Sequence, residues 1–79
     1  MKNIEIKDIM DEAKDRYYYA MDSNSKKEIE ATIKYFAGIR HKILHDKYLA
    51  CSEGANDTIY MLDDFDRALT IHHYILGKY

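Results

Sequence analysis

Apolar residues recur at α-helical spacing along three stretches of this 79-residue chain, and two short polar segments separate these stretches. The separating segments are residues 22–25 (DSNS) and residues 52–57 (SEGAND), whose small and polar side chains favour turns and helix caps. The chain contains no proline, the residue that most often ends or kinks a helix. The pattern therefore predicts an all-α protein that forms one domain over residues 1–79.

The boundaries of the three helices follow from the caps and from the apolar stripes. Helix 1 is predicted over residues 6–21, helix 2 over residues 26–50 and helix 3 over residues 58–76. Ser25 followed by Glu28 has the spacing of a capping box, which predicts the start of helix 2. In the second turn, Gly54 is expected as a helix C-cap, and Asn56 or Asp57 as the N-cap of helix 3.

The apolar stripes of the two long helices are wider than one neighbouring helix can cover. Helices 2 and 3, joined by a short turn, are predicted to form an antiparallel hairpin on which helix 1 packs, giving a three-helix bundle. A single core in a chain of this length contributes only about 3–5 kcal/mol to stability. We therefore expect the bundle to be a homo-oligomer.

Charge and cysteine content narrow the classes of function. The net charge is -2 with acidic and basic residues interspersed, whereas a protein that binds duplex DNA would show a basic stripe. Cys51 is the only cysteine, which indicates a reducing, cytoplasmic setting. No apolar run approaches the roughly 20 residues of a membrane span, so no membrane partner is expected.

Two cations of helix 2 are the first candidates for a binding site. At about 100° per residue, Arg40 and Lys47 project near the middle of the helix's apolar arc. A buried cation requires an anionic partner. One interpretation is an internal ion pair with an aspartate of residues 63–66; the other is a position that binds an anion such as a nucleotide phosphate in a groove or subunit interface.

Tyrosines and histidines complete the candidate set. Tyr18 and Tyr19 fall off the apolar stripe of helix 1, so they are expected to contact a partner protein or to stack on bases. His41 and His45 are one turn apart and could converge on a metal, but two ligands are too few, and a surface or interface role is the alternative. No metal or other cofactor is predicted. The candidate ligand-binding residues are Arg40, Lys47, Tyr18, Tyr19 and His41.

Arg40 and His45, separated by four residues and followed by Tyr48, resemble the Arg-x(4–6)-His signature of the HEPN ribonucleases. This resemblance covers about ten residues of the chain. It implies a metal-independent RNase in which Arg40 stabilises the attacked phosphate and His45 polarises the 2′-hydroxyl, with the active site formed across a dimer.

Three segments resemble the helical hairpin of phage proteins that sequester the cyclic oligonucleotide signals of CBASS and Thoeris defence: KYFAGIR (34–40), LAC (49–51) and FDRALTIHHYILGKY (65–79). The family's Pro-Asp-Ser-Arg-Glu turn is replaced by residues 52–56, and its Trp-Ala-Asn stretch by residues 71–73. The resemblance implies an oligomer with nucleotide pockets between protomers, in which Arg40 and Lys47 face phosphates and a tyrosine stacks on a base.

These observations favour a binding protein without catalytic activity. The predicted function is that of a small oligomeric helical regulator or inhibitor, such as a phage counter-defence protein that sequesters a cyclic nucleotide or blocks a protein partner. The first alternative is the HEPN-like RNase that uses Arg40 and His45. The second is a helical protein–protein interaction module with no small ligand.

Overall fold

The computed structural model of the protein describes residues 5–78, and every regular element among them is an α-helix. In chain order the helices are α1 (Ile6–Ser23), α2 (Lys26–His45), α3 (Lys47–Ala50) and α4 (Ala55–Gly77). The all-α prediction is confirmed. Within residues 5–78, no helix combines the length and the apolar character that crossing a membrane requires.

The connection between α1 and α2 agrees with the prediction. Asn24 ends α1 in the left-handed region, with φ of 49°. The Ser25 hydroxyl oxygen accepts a hydrogen bond from the backbone N–H of Glu28 at 3.3 Å, which satisfies one of the free donors at the start of α2. The Ser25 half of the expected capping box is therefore present, and α2 begins at the predicted residue.

Asp46 interrupts the second helix, so the prediction of one continuous helix over residues 26–50 is wrong. Its backbone is extended, with φ of -99° and ψ of 116°. One carboxylate oxygen, Oδ1, accepts hydrogen bonds from the backbone N–H groups of Tyr48 at 2.9 Å and Leu49 at 3.1 Å. Since the carboxylate satisfies these donors, the chain can leave α2 at His45 and start the short helix α3.

The start of α4 also differs from the expectation. The helix begins at Ala55, three residues before the predicted start at Thr58. Gly54 is its N-cap, with φ of 85°, and does not serve as the C-cap of the preceding helix. The two expected N-cap residues, Asn56 and Asp57, lie inside the first turn of α4.

Pairs of contacting residues define the directions of α2 and α4. Near the start of α2, Glu30 meets His73, and further along, Arg40 meets Asp63. Because residue numbers rise along one helix while they fall along the other, α2 and α4 run in opposite directions.

Contacts between α1 and α4 join residues whose numbers rise along both helices. The ring of Tyr17 stacks on Phe65 with centroids 4.1 Å apart. Seven residues, or about two turns, later in each sequence, the His72 nitrogen Nε2 lies 3.1 Å from the amide oxygen of Asn24. Residue numbers rise together, so α1 and α4 run in the same direction.

A small apolar core lies between these three helices. Its largest fully buried side chains come from α2 and α4, namely Phe36, Ile29, Ile43, Leu62, Leu69 and Thr58. Small residues of α1, Ala13 and Ala20, are fully buried, which allows α1 to approach the other two helices closely. Several large apolar side chains remain exposed on the surface: Tyr18, Tyr19, Leu44, Tyr48, Tyr60, Ile71, Tyr74 and Ile75.

Candidate functional site

Arg40 lies at the seam between α2 and α4 and is paired with an aspartate. Its Nε donates a hydrogen bond to Oδ1 of Asp63 at 3.0 Å, and 47% of its side chain is exposed. The middle of the apolar arc is occupied instead by Ile29, Phe36 and Ile43, which are buried. The expected position of Arg40 in the middle of the arc is therefore wrong. Arg40 lies on the flank of the arc next to α4, where its side chain stays half exposed beside Asp63.

The groove beside Arg40 is acidic. It is a cavity of about 270 Å³ whose lining includes Arg40, Asp63 and Asp66, with Phe36 and Leu62 at its base. Two carboxylates outnumber the single guanidinium, so this groove repels a phosphate more than it attracts one. The paired Arg40 is best described as a structural link between α2 and α4, worth about 0.2–1 kcal/mol at this exposure.

Lys47 lies outside α2, in the first turn of α3, and its side chain is exposed. The expected position in the apolar arc is wrong for Lys47 as well. The helical phase of α2 ends at His45, and the extended backbone of Asp46 turns the following residues in a new direction. Lys47 forms no ion pair with any of residues 5–78.

His41 and His45 converge on the outside of α2. Both side chains are exposed, and their ring centroids lie 4.1 Å apart with an interplanar angle of 34°. In the part of the chain that the structure describes, no cluster of three histidine, cysteine or acidic side chains could hold a metal ion. The two rings therefore stack on each other, and no described residue adds the further ligand that a metal would need.

Exposed side chains at the end of α2 and the start of α3 form a basic surface, which we call the basic end of α2. It consists of four exposed side chains without an ion-pair partner among residues 5–78, namely His41, Lys42, His45 and Lys47. Cations near a helix C-terminus interact favourably with its free carbonyl groups, which gives Lys42 and His45 a local structural reason to be there.

Two large apolar side chains lie within the basic end of α2. Leu44 is 47% exposed, and Tyr48, in the first turn of α3, is 59% exposed. The only acidic residue from 41 to 48 is Asp46, whose Oδ1 already accepts two backbone hydrogen bonds. Tyr48 was not among the predicted ligand-binding residues; an exposed aromatic ring directly after a run of basic residues is the signal that identifies it.

Tyr18 and Tyr19 are exposed, as expected from their positions off the apolar stripe. Tyr19 lines a groove between α1 and α2 that reaches Thr32. Thr32 precedes His41 by nine residues, or roughly 14 Å along α2 at about 1.5 Å per residue. In one protomer, the two tyrosines therefore lie apart from the basic end of α2.

A tyrosine that sequence reasoning missed lies beside Arg16, one of the residues that line the groove next to Tyr19. The Arg16 guanidinium lies 4.1 Å from the centre of the Tyr35 ring. Burial raises the pKa of Tyr35 above 10.0, the Glu12 carboxylate raises it further, and the Arg16 charge acts in the opposite direction. Because its pKa is raised, Tyr35 is neutral near pH 7, and its buried hydroxyl forms no hydrogen bond with residues 5–78.

The geometry of Arg40 and His45 does not form a catalytic pair within one protomer. The two residues belong to the same helix and are five positions apart, so they point about 140° away from each other. Arg40 is also held by Asp63. A ribonuclease site built from these residues would require the other member of the pair to come from a second copy.

No protein-family model matches this sequence, and no curated protein or solved structure matches it either.

Proposed function

We propose that this chain is a self-associating three-helix bundle of the cytoplasm that acts by binding an anionic partner without catalysing a reaction. The binding surface is the basic end of α2, and the ligand class is a phosphate-bearing nucleotide. The specific form suggested by the resemblance to the CBASS and Thoeris sponges is a phage counter-defence protein that sequesters a cyclic nucleotide.

The observation that carries the proposal is the group of unpaired cations at the basic end of α2. Lys42 and Lys47, like the other described lysines, are exposed and form no ion pair with residues 5–78. What distinguishes these two is that they belong, with His41 and His45, to residues 41–48, in which Asp46 is the single acidic residue. Cations without an internal partner attract phosphate groups from solution, and the attraction is strongest at low salt. Lys47 therefore stays in the proposed site, whereas Arg40, which pairs with Asp63, does not belong to it.

An exposed tyrosine next to these cations suits a nucleotide better than a simple inorganic anion. Tyr48 follows Lys47 directly and presents an exposed ring. Stacking of a base on an aromatic ring is worth about 1–3 kcal/mol, and it does not depend on the identity of the base. A ligand with both a phosphate and a base can use the lysines and the ring together.

The contacts and orientation of Arg40 and His45, the two predicted catalytic residues, favour binding over catalysis. Arg40 is engaged by Asp63 and points away from His45. Removal of the Asp63 pair and a second copy in a suitable orientation would both be needed before these residues could cleave RNA.

The direct test measures the affinity for cyclic di- and trinucleotides by isothermal titration calorimetry and by thermal shift. We expect the ligand to raise the melting temperature, and we expect the effect to weaken as salt is added. The double variant Lys42→Ala/Lys47→Ala should bind at least roughly tenfold more weakly, which corresponds to about 1.4 kcal/mol. Tyr48→Ala should weaken nucleotide binding but not pyrophosphate binding.

The matched control is Lys27→Ala/Lys34→Ala, which removes two exposed lysines from the other half of α2. This control should change the affinity less than about twofold. Equal losses in the two double variants would indicate attraction by the overall charge and would overturn the proposed site. A complete absence of nucleotide binding would leave the interaction module with no small ligand as the function to test.

RNA incubation separates the enzyme alternative. The HEPN-like interpretation requires cleavage that His45→Ala abolishes. We expect intact RNA in the presence of the unmodified chain, and cleavage lost in the His45→Ala variant would overturn the proposal of binding without catalysis.

A further inference from the structure

The outward face of α4 carries an ordered row of exposed residues that the proposed nucleotide site does not use. We call this row the outer stripe, and its members are Tyr60, Asp64, Arg67, Ile71, Tyr74 and Lys78, all exposed. Tyr60 is 69% exposed, Tyr74 63% and Ile71 55%. Ile75, beside the stripe, is 44% exposed.

The spacing of the outer stripe is that of a coiled-coil seam. Successive members are separated by four, three, four, three and four residues, which is the pattern of alternating a and d positions. The opposite face of α4 buries Leu62 and Leu69 against the rest of the protein. The helix therefore has one covered apolar face and, opposite to it, a mixed face on which Tyr60, Ile71 and Tyr74 remain exposed among charged residues in the described chain.

We propose that two copies of this chain form a two-fold dimer in which their outer stripes pack against each other in antiparallel orientation. The two-fold axis crosses α4 at the level of residue 69, which is the midpoint between Tyr60 and Lys78. The side chain of Leu69 itself is buried on the opposite face of the helix. The inference rests on the self-association in the proposed function and specifies its interface. It does not depend on nucleotide binding, because the outer stripe and the basic end of α2 share no residue.

The pairing of unlike side chains selects a second copy in this orientation, because each charged residue of the outer stripe faces an uncharged residue of the other copy. Around an axis at residue 69, Asp64 of one copy lies opposite Tyr74 of the other, so the phenol can donate a hydrogen bond to the carboxylate. Lys78 lies opposite Tyr60, where the ammonium can rest on the aromatic face. Both pairs occur twice because the interface is two-fold symmetric.

The centre of the stripe supplies the apolar contact. Arg67 lies opposite Ile71, so the methylene groups of the arginine can cover the exposed isoleucine while its guanidinium reaches solvent. In the monomer, Arg67 pairs with Asp64 at 3.9 Å, but the two side chains are 74% and 73% exposed. An ion pair that exposed contributes little, so forming the dimer loses little when the pair rearranges.

A parallel pair of the same helices is disfavoured. In that orientation each residue faces its own counterpart, so Asp64 meets Asp64, Arg67 meets Arg67 and Lys78 meets Lys78. Like charges directly opposite each other are destabilising, which acts as selection against this arrangement. The Lys78 ammonium also lies 4.7 Å from the centre of the Tyr74 ring in the monomer, which shows that the stripe's aromatic rings accept a cation.

The size of the interface determines how the dimer should be detected. From Tyr60 to Lys78 the stripe covers 18 residue steps, or about 27 Å at about 1.5 Å per residue. One helix pair of this length belongs to the smaller class of protein interfaces, which associate weakly and reversibly. The dimer should therefore depend on protein concentration.

Sedimentation equilibrium over a roughly hundredfold range of concentration tests the association. We expect the average mass to rise from that of one 9.4 kDa chain towards that of two. Tyr74→Glu should keep the protein monomeric throughout the range, because each new carboxylate would face Asp64 of the other copy. Tyr18→Glu is the matched control, because Tyr18 is similarly exposed but belongs to α1, and it should leave the association unchanged.

Crosslinking tests the orientation in a Cys51→Ser background, which removes the exposed natural thiol. Copies with Asp64→Cys and copies with Tyr74→Cys are mixed and treated with a short bis-maleimide. The mixture should give crosslinked dimers, whereas each variant alone should not, since identical positions lie about 15 Å apart along the antiparallel pair. Circular dichroism of each variant confirms that its helices remain folded.

Three results would overturn the inference. A monomer at every concentration would leave the outer stripe for a different protein. Equal association of the unmodified chain and Tyr74→Glu would place the interface elsewhere. Crosslinking of either variant alone would reverse the orientation. The dimer test addresses the self-association in the proposed function, whereas nucleotide titration of Tyr74→Glu addresses its ligand binding, so the failure of one is distinguishable from the failure of the other.

Discussion

Each of the two connections between the long helices contains one residue in the left-handed region and one residue whose side chain caps the next helix, but the two residues are spaced differently along the chain. Between α1 and α2, the left-handed Asn24 and the capping Ser25 are adjacent, and the chain reverses within two residues. Between α2 and α4, the capping Asp46 and the left-handed Gly54 are separated by α3. The difference shows that a cap can start a new helix in the middle of an apolar pattern, and four substitutions test how much each device contributes.

Gly54→Ala should have the largest effect. An alanine at φ of 85° is strained, and we expect a loss of about 1–2 kcal/mol in the free energy of unfolding. The added Cβ itself meets only Ile6 Cγ2 at 3.7 Å, so the loss comes from the backbone. Gly38→Ala is the control: it lies inside α2 with open space around it and should gain about 0.5–1 kcal/mol. Urea unfolding that gives both changes the same sign would contradict this account.

Asp46→Ala should follow, with a loss of about 1 kcal/mol, because two backbone N–H groups lose their acceptor. Asp46→Asn keeps an acceptor oxygen and should retain most of the stability. If α2 can continue through residue 50 without cost, Asp46→Ala will unfold at the same urea concentration as the unmodified chain, and the break would then have another cause.

Ser25→Ala should cost about 0.5–1 kcal/mol, since the cap is a single exposed hydrogen bond of 3.3 Å. Ser25→Asp restores the acceptor and adds a negative charge at the helix N-terminus, so its stability should equal or exceed that of the unmodified chain. Thermal unfolding of the two variants measures the difference, and a stable Ser25→Ala would show that the short turn needs no side-chain cap.

Asn24→Gly should have the smallest effect, within about 0.5 kcal/mol. Glycine relieves the left-handed backbone at φ of 49°, but the substitution removes the amide oxygen that lies 3.1 Å from His72. The two contributions oppose each other. A loss as large as that of Gly54→Ala would mean that the contact with His72 ties α1 to α4 more strongly than its exposure indicates.

The elements that the sequence predicts correctly are those with local signals. Helical spacing identifies the long helices, and Ser25 marks the start of α2. The break at Asp46 could not be predicted from periodicity, because the apolar stripe that contains Ile43 and Leu44 resumes at Cys51. Leu49 lies about 160° from Ile29 in the phase of α2, and only the structure shows that it is buried. A cap is visible in a sequence only when the apolar pattern stops beside it.

The candidate site was predicted in part for a related reason. The approach of His41 to His45 depends on one helix alone, and the structure confirms it. The position of Arg40 depends on which side of α2 the other helices cover, and the position of Lys47 depends on where α2 ends. The angle of a residue around the helix axis predicts neither of these two properties. Tyr48 became recognisable only when the break at Asp46 separated it from the buried face.

The shared direction of α1 and α4 has a practical consequence for fluorescence experiments. Residues near the two ends of the described chain lie at opposite ends of a molecule that is 44 Å long. With a dye pair whose Förster distance is well below 44 Å, a donor at Glu5 and an acceptor at Lys78 would therefore transfer energy poorly within one copy. Antiparallel pairing of α4 brings the acceptor of one copy towards the donor of the other, so the transfer efficiency would rise with concentration and report assembly in real time.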